Sequence, residues 1–247
     1  MANNNISIII PAKNEAQYIA RTLAQFHEYL ERLDLEVIVS DANSTDATAE
    51  IVLGYAAESN QRIHLVQSAG KQNIAIGRNA GAAQAKGDIL LHIDADVLIM
   101  EPEKFFEQIR LKFENPAVLA ATVPLWIYPE KSGLADKLFH LFMNTVIRLS
   151  FLFRVFLAKG ECQIVRRAAF ECIGGYNEEL VAGEDCNLFY RLGKTGRIAY
   201  LHRLSVHHSP RRFREYGYLK VSMIYLREGL WLLFRKKSYI KEWTVVR

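Results

Sequence analysis

The chain has 247 residues, half of them hydrophobic, so it can bury a substantial core and does not have the composition of a disordered protein. The net charge is only +4, but residues 211–247 hold ten Lys and Arg against three Glu, which places the basic character at the C-terminus. The three cysteines show no Cys-x-x-Cys spacing and the first residues lack the pattern of a secretory signal. Both observations favour a cytoplasmic protein.

Strand and helix patterns alternate over the first hundred residues. Short apolar or β-branched runs predict strands at 6–10, 36–40, 63–66 and 89–93, and apolar residues at helical spacing predict helices over 15–33, 47–58 and 73–85. This alternation predicts an α/β fold with a mostly parallel, Rossmann-like central sheet flanked by helices.

Polar residues follow several of these strands. Pro11, Asp41, the segment 68–71 and Asp94 each come directly after one, and the carboxyl ends of parallel strands form one edge of a sheet. Lys71 in this segment, and Arg78 on the next helix, are candidate ligands for phosphate oxygens, with solvated charge as the ordinary alternative. The sequence therefore predicts a shared nucleotide site.

The fourth strand ends in Asp94-Ala95-Asp96. Mg²⁺ and Mn²⁺ are held in proteins by carboxylates together with the oxygens of a substrate diphosphate, so the pair indicates a metal–diphosphate site. Capping of the helix that begins near Pro102 is the alternative.

Residues 134–158 form a predominantly apolar helical segment. Its polar residues occupy about a third of the helix circumference; they are Lys137, His140, Asn144, Arg148 and Arg154. Two arginines and an asparagine make a membrane span costly. Two interpretations stay open: a helix in the bilayer interface with its basic side chains toward the headgroups, or a helix buried against the catalytic sheet.

Two further motifs carry candidate site residues. Gly174-Gly175 allows a backbone to approach a ligand closely. Glu184 and Asp185 begin a predicted helix that runs to about residue 192, where a carboxylate acts either as a cap or as a general base.

The last predicted strand ends in His207-His208, and two arginines, Arg211 and Arg212, follow as candidate diphosphate ligands. Either histidine is a candidate metal ligand, and we select His207.

Beyond these residues, 213–234 form a predicted amphipathic helix followed by Arg235-Lys236-Lys237. This combination is typical of an anchor on anionic lipid, and a contact between subunits of an oligomer is the alternative. A nucleic-acid surface is disfavoured because the basic cluster is short and joined to apolar residues.

Several of these motifs, in this order, resemble inverting family 2 glycosyltransferases of the GT-A fold. The similar segments are Pro11-Ala12-Lys13-Asn14-Glu15, residues 40–46, residues 79–88, Asp94-Ala95-Asp96, Gly174-Gly175-Tyr176 and Gly183-Glu184-Asp185. The chain departs from the family at Ala42 and Asn43, where glycines are common.

The resemblance implies specific roles. Pro11, Glu15 and Asp41 would line the nucleoside site, Asp94 would lie at the ribose or metal, Asp96 would bind Mn²⁺ or Mg²⁺, and Asp185 would be the general base, with Glu184 as the alternative. The full candidate donor-binding set is Pro11, Ala12, Asn14, Glu15, Asp41, Lys71, Arg78, Asp94, Ala95, Asp96, Gly174, Gly175, Arg211 and Arg212. The candidate metal ligands are Asp94, Asp96 and His207.

The sequence thus predicts a metal-dependent glycosyltransferase that moves a sugar from a UDP or GDP type donor to a lipid-linked or glycan hydroxyl at the inner membrane face. Residues 1–210 would form the catalytic domain, with 1–100 as its nucleotide-binding half and 101–210 as its acceptor half, and 211–247 a membrane anchor. The alternatives are a sugar nucleotidyltransferase, disfavoured because no glycine-rich loop follows the first strand, and a non-catalytic nucleotide-sugar-binding module.

Overall fold

The computed structural model of the chain describes residues 4–67 and 73–235, with side chains up to residue 229. The predicted alternation of the first half is confirmed. Its elements are β1 (Ile6–Ala12), α1 (Ile19–Ala24), β2 (Leu35–Asp41), α2 (Thr48–Glu58), β3 (Ile63–Gln67), α3 (Ile74–Gln84) and β4 (Ile89–Ile93).

The second half adds smaller strands and longer helices. Its elements are β5 (Val97–Leu98), α4 (Pro102–Phe113), β6 (Val118–Thr122), β7 (Leu125–Ile127), α5 (Leu134–Leu152), β8 (Cys162–Arg166), α6 (Arg167–Cys172), α7 (Glu184–Gly193), β9 (Arg197–Tyr200), β10 (Val206–His208) and α8 (Arg211–Arg235). Strand β9 is absent from the sequence prediction. Helix α8 is broken at Gly217, whose φ of 73° is non-helical.

Seven strands form the central sheet in the order β3-β2-β1-β4-β8-β6-β9. Only β8 runs antiparallel to its neighbours, which confirms the mostly parallel sheet. A second sheet has the order β5-β10-β7. Pro124 separates β6 from β7, where the chain passes from one sheet to the other, because proline cannot donate a ladder hydrogen bond.

Alternate residues of the central strands enter two apolar clusters on opposite faces of the sheet. In β1, Ile8 and Ile10 belong to one cluster and Ile9 to the other. Because both faces are covered, the polar residues at the strand ends lie at the open edge of a buried sheet.

The helix predicted over 15–33 is much shorter in the structure. Regular helix is confined to α1, and a single 3₁₀ turn follows at His27–Tyr29. The Gln25 side chain bonds to Val97 O at 2.9 Å and to the amide of Ile99 at 2.7 Å, so this segment is held by β5 and the residues after it. The predicted apolar face is still correct, since Ile19, Leu23, Phe26 and Leu30 are all buried.

Helix α5 lies on the domain with its polar side inward. Asn144 accepts a hydrogen bond from the Leu125 amide at 3.0 Å and donates one to its carbonyl at 2.9 Å, and His140 is buried beside His208. Leu134 and Leu152 are each 74% exposed. The sequence left open whether this helix lies in the bilayer interface or is buried against the catalytic sheet. In the structure its polar face packs on the small sheet through side-chain bonds that a periodicity pattern does not reveal. Among the described residues, no helix has both the length and the apolar character needed to cross a membrane.

Candidate active site

Arg78 connects the end of β4 with the start of α7. It lies on α3, its side chain is fully buried, and it reaches Asp94 at 2.9 Å and Glu184 at 2.7 Å. A third bond goes to Gly160 O at 2.9 Å, where any side chain would collide with the guanidinium. In this structure the three hydrogen bonds of Arg78 go to the protein and its side chain has no exposed surface. Its role as a phosphate ligand stays a prediction.

Glu184 and Asp185 begin α7 behind Gly183, which takes a left-handed φ of 73° at the N-cap. Glu184 is buried against Arg78, whereas Asp185 is partly exposed and accepts a bond from the Cys186 amide at 2.7 Å. Burial raises the pKa of both carboxyl groups, and Arg78 opposes this effect. The more accessible of the two, Asp185, is the better placed to accept a proton.

A second arginine holds the other carboxylates. Arg211, the first residue of α8, donates two bonds of 2.8 Å to Glu15 and lies 3.2 Å from Asp96. The pKa of Asp96 is raised to about 7, and burial is the largest cause. The charge of Arg211 opposes this rise, and the charges of Asp94 and Glu15 add to it. Arg211 thus joins α8 to the same edge of the sheet.

The turn after β2 forms the wall next to this edge. Asp41 is fully buried and accepts bonds from the Ser44 amide and hydroxyl, and Asn14 accepts one from the Thr45 amide at 2.7 Å. Asn43 adopts a left-handed φ of 55°, which asparagine tolerates better than most residues. The turn therefore forms without the glycine that the resemblance led us to expect at this position.

Asp94 and Asp96 provide the oxygen donors that Mg²⁺ and Mn²⁺ prefer, and the Asp94 side chain is 28% exposed. The pair fits a divalent cation that takes its other ligands from a diphosphate. Within residues 4–67 and 73–235, no three His, Cys, Asp or Glu side chains group closely enough to hold a metal. His207 Nδ1 lies 3.1 Å from the Ile127 carbonyl. The role of His207 as a third metal ligand stays a prediction.

The remaining candidates are distributed around this edge or away from it. Pro11 and Ala12 end β1 beside Ser40 and Asp41, and Ala95 is buried with its carbonyl bonded to Thr22. Lys71 lies outside the described residues. Arg212 enters α8 next to Arg211, and its charge acts on Tyr225. Their donor contacts stay predictions.

The two glycines Gly174 and Gly175 have a structural reason of their own. Both take left-handed φ values, 74° and 67°, at the end of α6. A Cβ on Gly175 would lie 2.7 Å from Asn79 Oδ1, which accepts a bond from the Tyr176 amide. Helix termination and close packing account for these residues, and contact with a donor stays a prediction.

Sequence reasoning missed the residues that support Asp185. Gln163 on β8 donates to Asp185 O at 3.1 Å, and Tyr176 in turn donates to Gln163 at 2.6 Å. The Tyr176 ring also lies 5.4 Å from the Arg78 guanidinium. A glutamine inside an apolar strand was the available signal, because buried polar side chains are nearly always hydrogen-bonded.

The chain matches Glycosyl transferase family 2 over residues 7–174 and belongs to that family. It is 28% identical over 208 residues to the succinoglycan biosynthesis protein ExoA of Rhizobium meliloti (strain 1021), covering 83% of this chain and 63% of ExoA. The chain thus spans less than two thirds of that relative.

Two solved structures show the same fold. The mannosyltransferase PcManGT from Pyrobaculum calidifontis, in complex with GDP-Man and Mn²⁺, has a TM-score of 0.68 and 22% identity over 91% of this chain and 64% of its own. Glucosyl-3-phosphoglycerate synthase from Mycobacterium tuberculosis, with Mn²⁺ and UDP, has a TM-score of 0.61 and 19% identity over 94% and 79%. These similarities confirm the predicted GT-A fold.

Proposed function

We propose that the chain is a metal-dependent, inverting glycosyltransferase that uses a UDP or GDP sugar and transfers the sugar to a hydroxyl of a lipid-linked or glycan acceptor. The observation that supports this most is the partly exposed Asp185 beside a buried Glu184–Arg78–Asp94 link. That link brings a candidate base to the strand edge where the family resemblance puts the donor. Relatives bound to GDP-Man or UDP with Mn²⁺ support the donor class.

In the proposed reaction, Asp185 accepts the proton of the acceptor hydroxyl as its oxygen attacks the anomeric carbon. The bond from that carbon to the diphosphate breaks in the same displacement, which inverts the configuration. Gln163 donates to the backbone carbonyl of Asp185, and the Cys186 amide donates to its carboxylate. Burial raises its pKa, so turnover falls on the acid side at a higher pH than for an ordinary aspartate.

Asp94 and Asp96 would hold Mn²⁺ or Mg²⁺ on the donor diphosphate, and such an ion supplies Lewis-acid stabilisation of the leaving group. Asp41, Asn14 and Glu15 would line the nucleoside end. Arg211 and Arg212 remain the candidate diphosphate cations on the α8 side.

We also propose residues 1–210 as the catalytic domain and 211–247 as a membrane-associated extension at the cytoplasmic face. The exposed apolar surface of α5 supports a membrane location. The basic cluster Arg235-Lys236-Lys237 belongs to the predicted anchor, and it lies beyond residue 229, the last residue whose side chain the structure describes. ExoA is named for succinoglycan biosynthesis, which supports a glycan as the acceptor.

Replacement of the base tests the reaction. We expect Asp185→Asn to keep Mn²⁺-dependent binding of nucleoside diphosphate, measured by calorimetry, and to lower kcat by about 10²–10⁴. Glu184→Gln is the matched comparison, because it neutralises a carboxylate in the same helical turn. Near-normal kcat in Asp185→Asn together with loss of turnover in Glu184→Gln would reassign the base to Glu184.

A further inference from the structure

The outer face of α5 is apolar although the helix lies at the protein surface. Six large apolar side chains at helical spacings of three, four or seven residues, two of them adjacent, are 46–74% exposed: Leu134, Leu138, Leu141, Phe142, Leu149 and Leu152. The opposite face is held by buried polar contacts through Asp136, His140 and Asn144. The helix is thus amphipathic with its apolar side outward, the reverse of an ordinary surface helix.

Further exposed apolar side chains follow α5 and lie on the helix that contacts it. Phe153 and Val155, in the segment that follows, are 77% and 51% exposed. On α8, Leu219, Met223 and Leu226 follow at helical spacing and are 53–76% exposed. The two helices contact each other through Phe139, whose ring lies 5.3 Å from that of Phe213. An apolar surface built from two adjacent helices marks an interaction site rather than isolated exposed residues.

The charge around this surface is positive. Residues 134–160 contain three exposed cations, Lys137, Arg148 and Arg154, and one acid, Asp136, whereas the Nζ atom of the fourth cation, Lys159, is buried. Asp136 is buried and paired with Arg214 at 2.6 Å, so it contributes no exposed negative charge. Cations beside an exposed apolar face are the pattern of a helix at the surface of an anionic bilayer.

A basic cavity lies at the end of α5. It has a volume of about 480 Å³ and is lined by Phe151, Arg154, Phe156, Lys194, Thr195, Gly196, Arg197 and Ile198. In the part of the chain that the structure describes, Arg154, Lys194 and Arg197 form no ion pair with a carboxylate. Basic cavities beside apolar surface suit anionic lipid headgroups. Lys194 follows α7, which begins at Glu184, next to Asp185, and is about 15 Å long, so the cavity lies one helix length from the candidate base.

We infer that the outer face of α5, with residues 152–155 and the exposed side of α8, docks on an anionic membrane surface, and that Arg154, Lys194 and Arg197 receive lipid headgroups. A second copy of the chain fits less well, because pairing this face with itself would bring cations against cations. The inference rests on the proposed membrane-associated function and names the surface that performs it.

Vesicle flotation of the full chain tests the apolar part. Wild type should float with vesicles of 30% POPG in POPC, and the pair Leu138→Glu/Leu152→Glu should lower partitioning at least tenfold. The pair Leu53→Glu/Leu111→Glu is the matched control, since both residues are exposed to more than half on other helices. Equal loss in both pairs, or none in the first, overturns the inference. The inference is also overturned if sedimentation velocity shows a wild-type dimer and if Leu138→Glu/Leu152→Glu dissociates this dimer without changing flotation.

The charge part has its own test. Arg154→Gln/Lys194→Gln should lower binding to POPG vesicles about fivefold per charge and leave the weak binding to pure POPC unchanged. Lys86→Gln/Lys104→Gln removes two cations elsewhere and should have little effect. An equal loss in both pairs means that net charge alone acts, which overturns the headgroup assignment. Thermal stabilisation by UDP and Mn²⁺, measured without vesicles, tests the proposed catalytic function separately.

Discussion

Arg78 is a buried cation that connects two carboxylates of the candidate site, Asp94 after β4 and Glu184 on α7. A solvated arginine beside a nucleotide site is an ordinary expectation, yet this side chain is fully buried and pairs with Asp94 and Glu184. Burial disfavours its charge, and the surrounding acids and Tyr176 outweigh that effect and raise the pKa of Arg78. A buried cation of this kind is retained only while its partners are present.

A double-mutant cycle tests this link. We expect Arg78→Met to lower the free energy of unfolding by about 3–5 kcal/mol, because it leaves Glu184 buried without its cation. Adding Glu184→Gln to Arg78→Met should cost less than the sum of the two single changes, since it removes the unpaired charge. Urea denaturation of the four proteins at one pH gives the coupling energy. Additive effects would show that the two side chains are energetically independent.

Between elements, Asp136 fastens α5 to α8. It accepts bonds from Arg214 at 2.6 Å, from the Tyr218 hydroxyl and from the Gly133 amide at 2.8 Å. Burial acts to raise its pKa, but the bonds from Arg214 and Tyr218 outweigh this and lower it to about 2. An aspartate in the unfolded chain has a pKa of about 4. Because the folded-state pKa of Asp136 is lower, its ionised form stabilises the fold above about pH 4, and this contribution is lost as the pH falls toward 2.

We therefore expect Asp136→Asn to lower the free energy of unfolding by about 1–2 kcal/mol at pH 7, with a smaller difference from wild type at pH 3.5. Urea denaturation at pH 7, 5 and 3.5 measures it. Asp88→Asn is the control, because Asp88 is half-exposed and 3.9 Å from Arg167, a pair worth little. A difference that does not change with pH would contradict an ionised, hydrogen-bonded Asp136.

At the element scale, the sequence predicted those features that depend on hydrophobic periodicity and on the residues that follow each strand. The βαβ order, the sheet class and the strand-end positions of Asp41 and Asp94 follow from local patterns. The orientation of α5 does not, because it depends on bonds between Asn144 and Leu125 and between Asp136 and Arg214, which lie on different elements of the chain. The contact between Glu15 and Arg211 spans 196 residues and left no local signal either.

For the whole molecule, donor binding should act on global stability. Glu15, Asp96 and Arg211 come from the first strand edge, the end of β4 and the start of α8, so one cluster connects distant parts of the chain. Asp94 and Asp96 would hold a divalent cation, which would compete with Arg211 for the Asp96 carboxylate, and Arg211 is a proposed ligand of the diphosphate oxygens. Ligand that binds only the folded state raises stability in proportion to the logarithm of its concentration over Kd.

We expect Mn²⁺ with UDP or GDP at about 100 times Kd to add about 2.7 kcal/mol, which is a rise in Tm of roughly 5–10 °C for a chain of this size. Asp96→Asn should lose the metal-dependent part of this shift, whereas Glu101→Gln, an exposed acid a few residues later, should keep it. Comparing the shift rather than Tm itself removes the effect of the substitution on the ligand-free fold. An undiminished Mn²⁺-dependent shift in Asp96→Asn would remove Asp96 from the metal site and leave Asp94 as its candidate carboxylate.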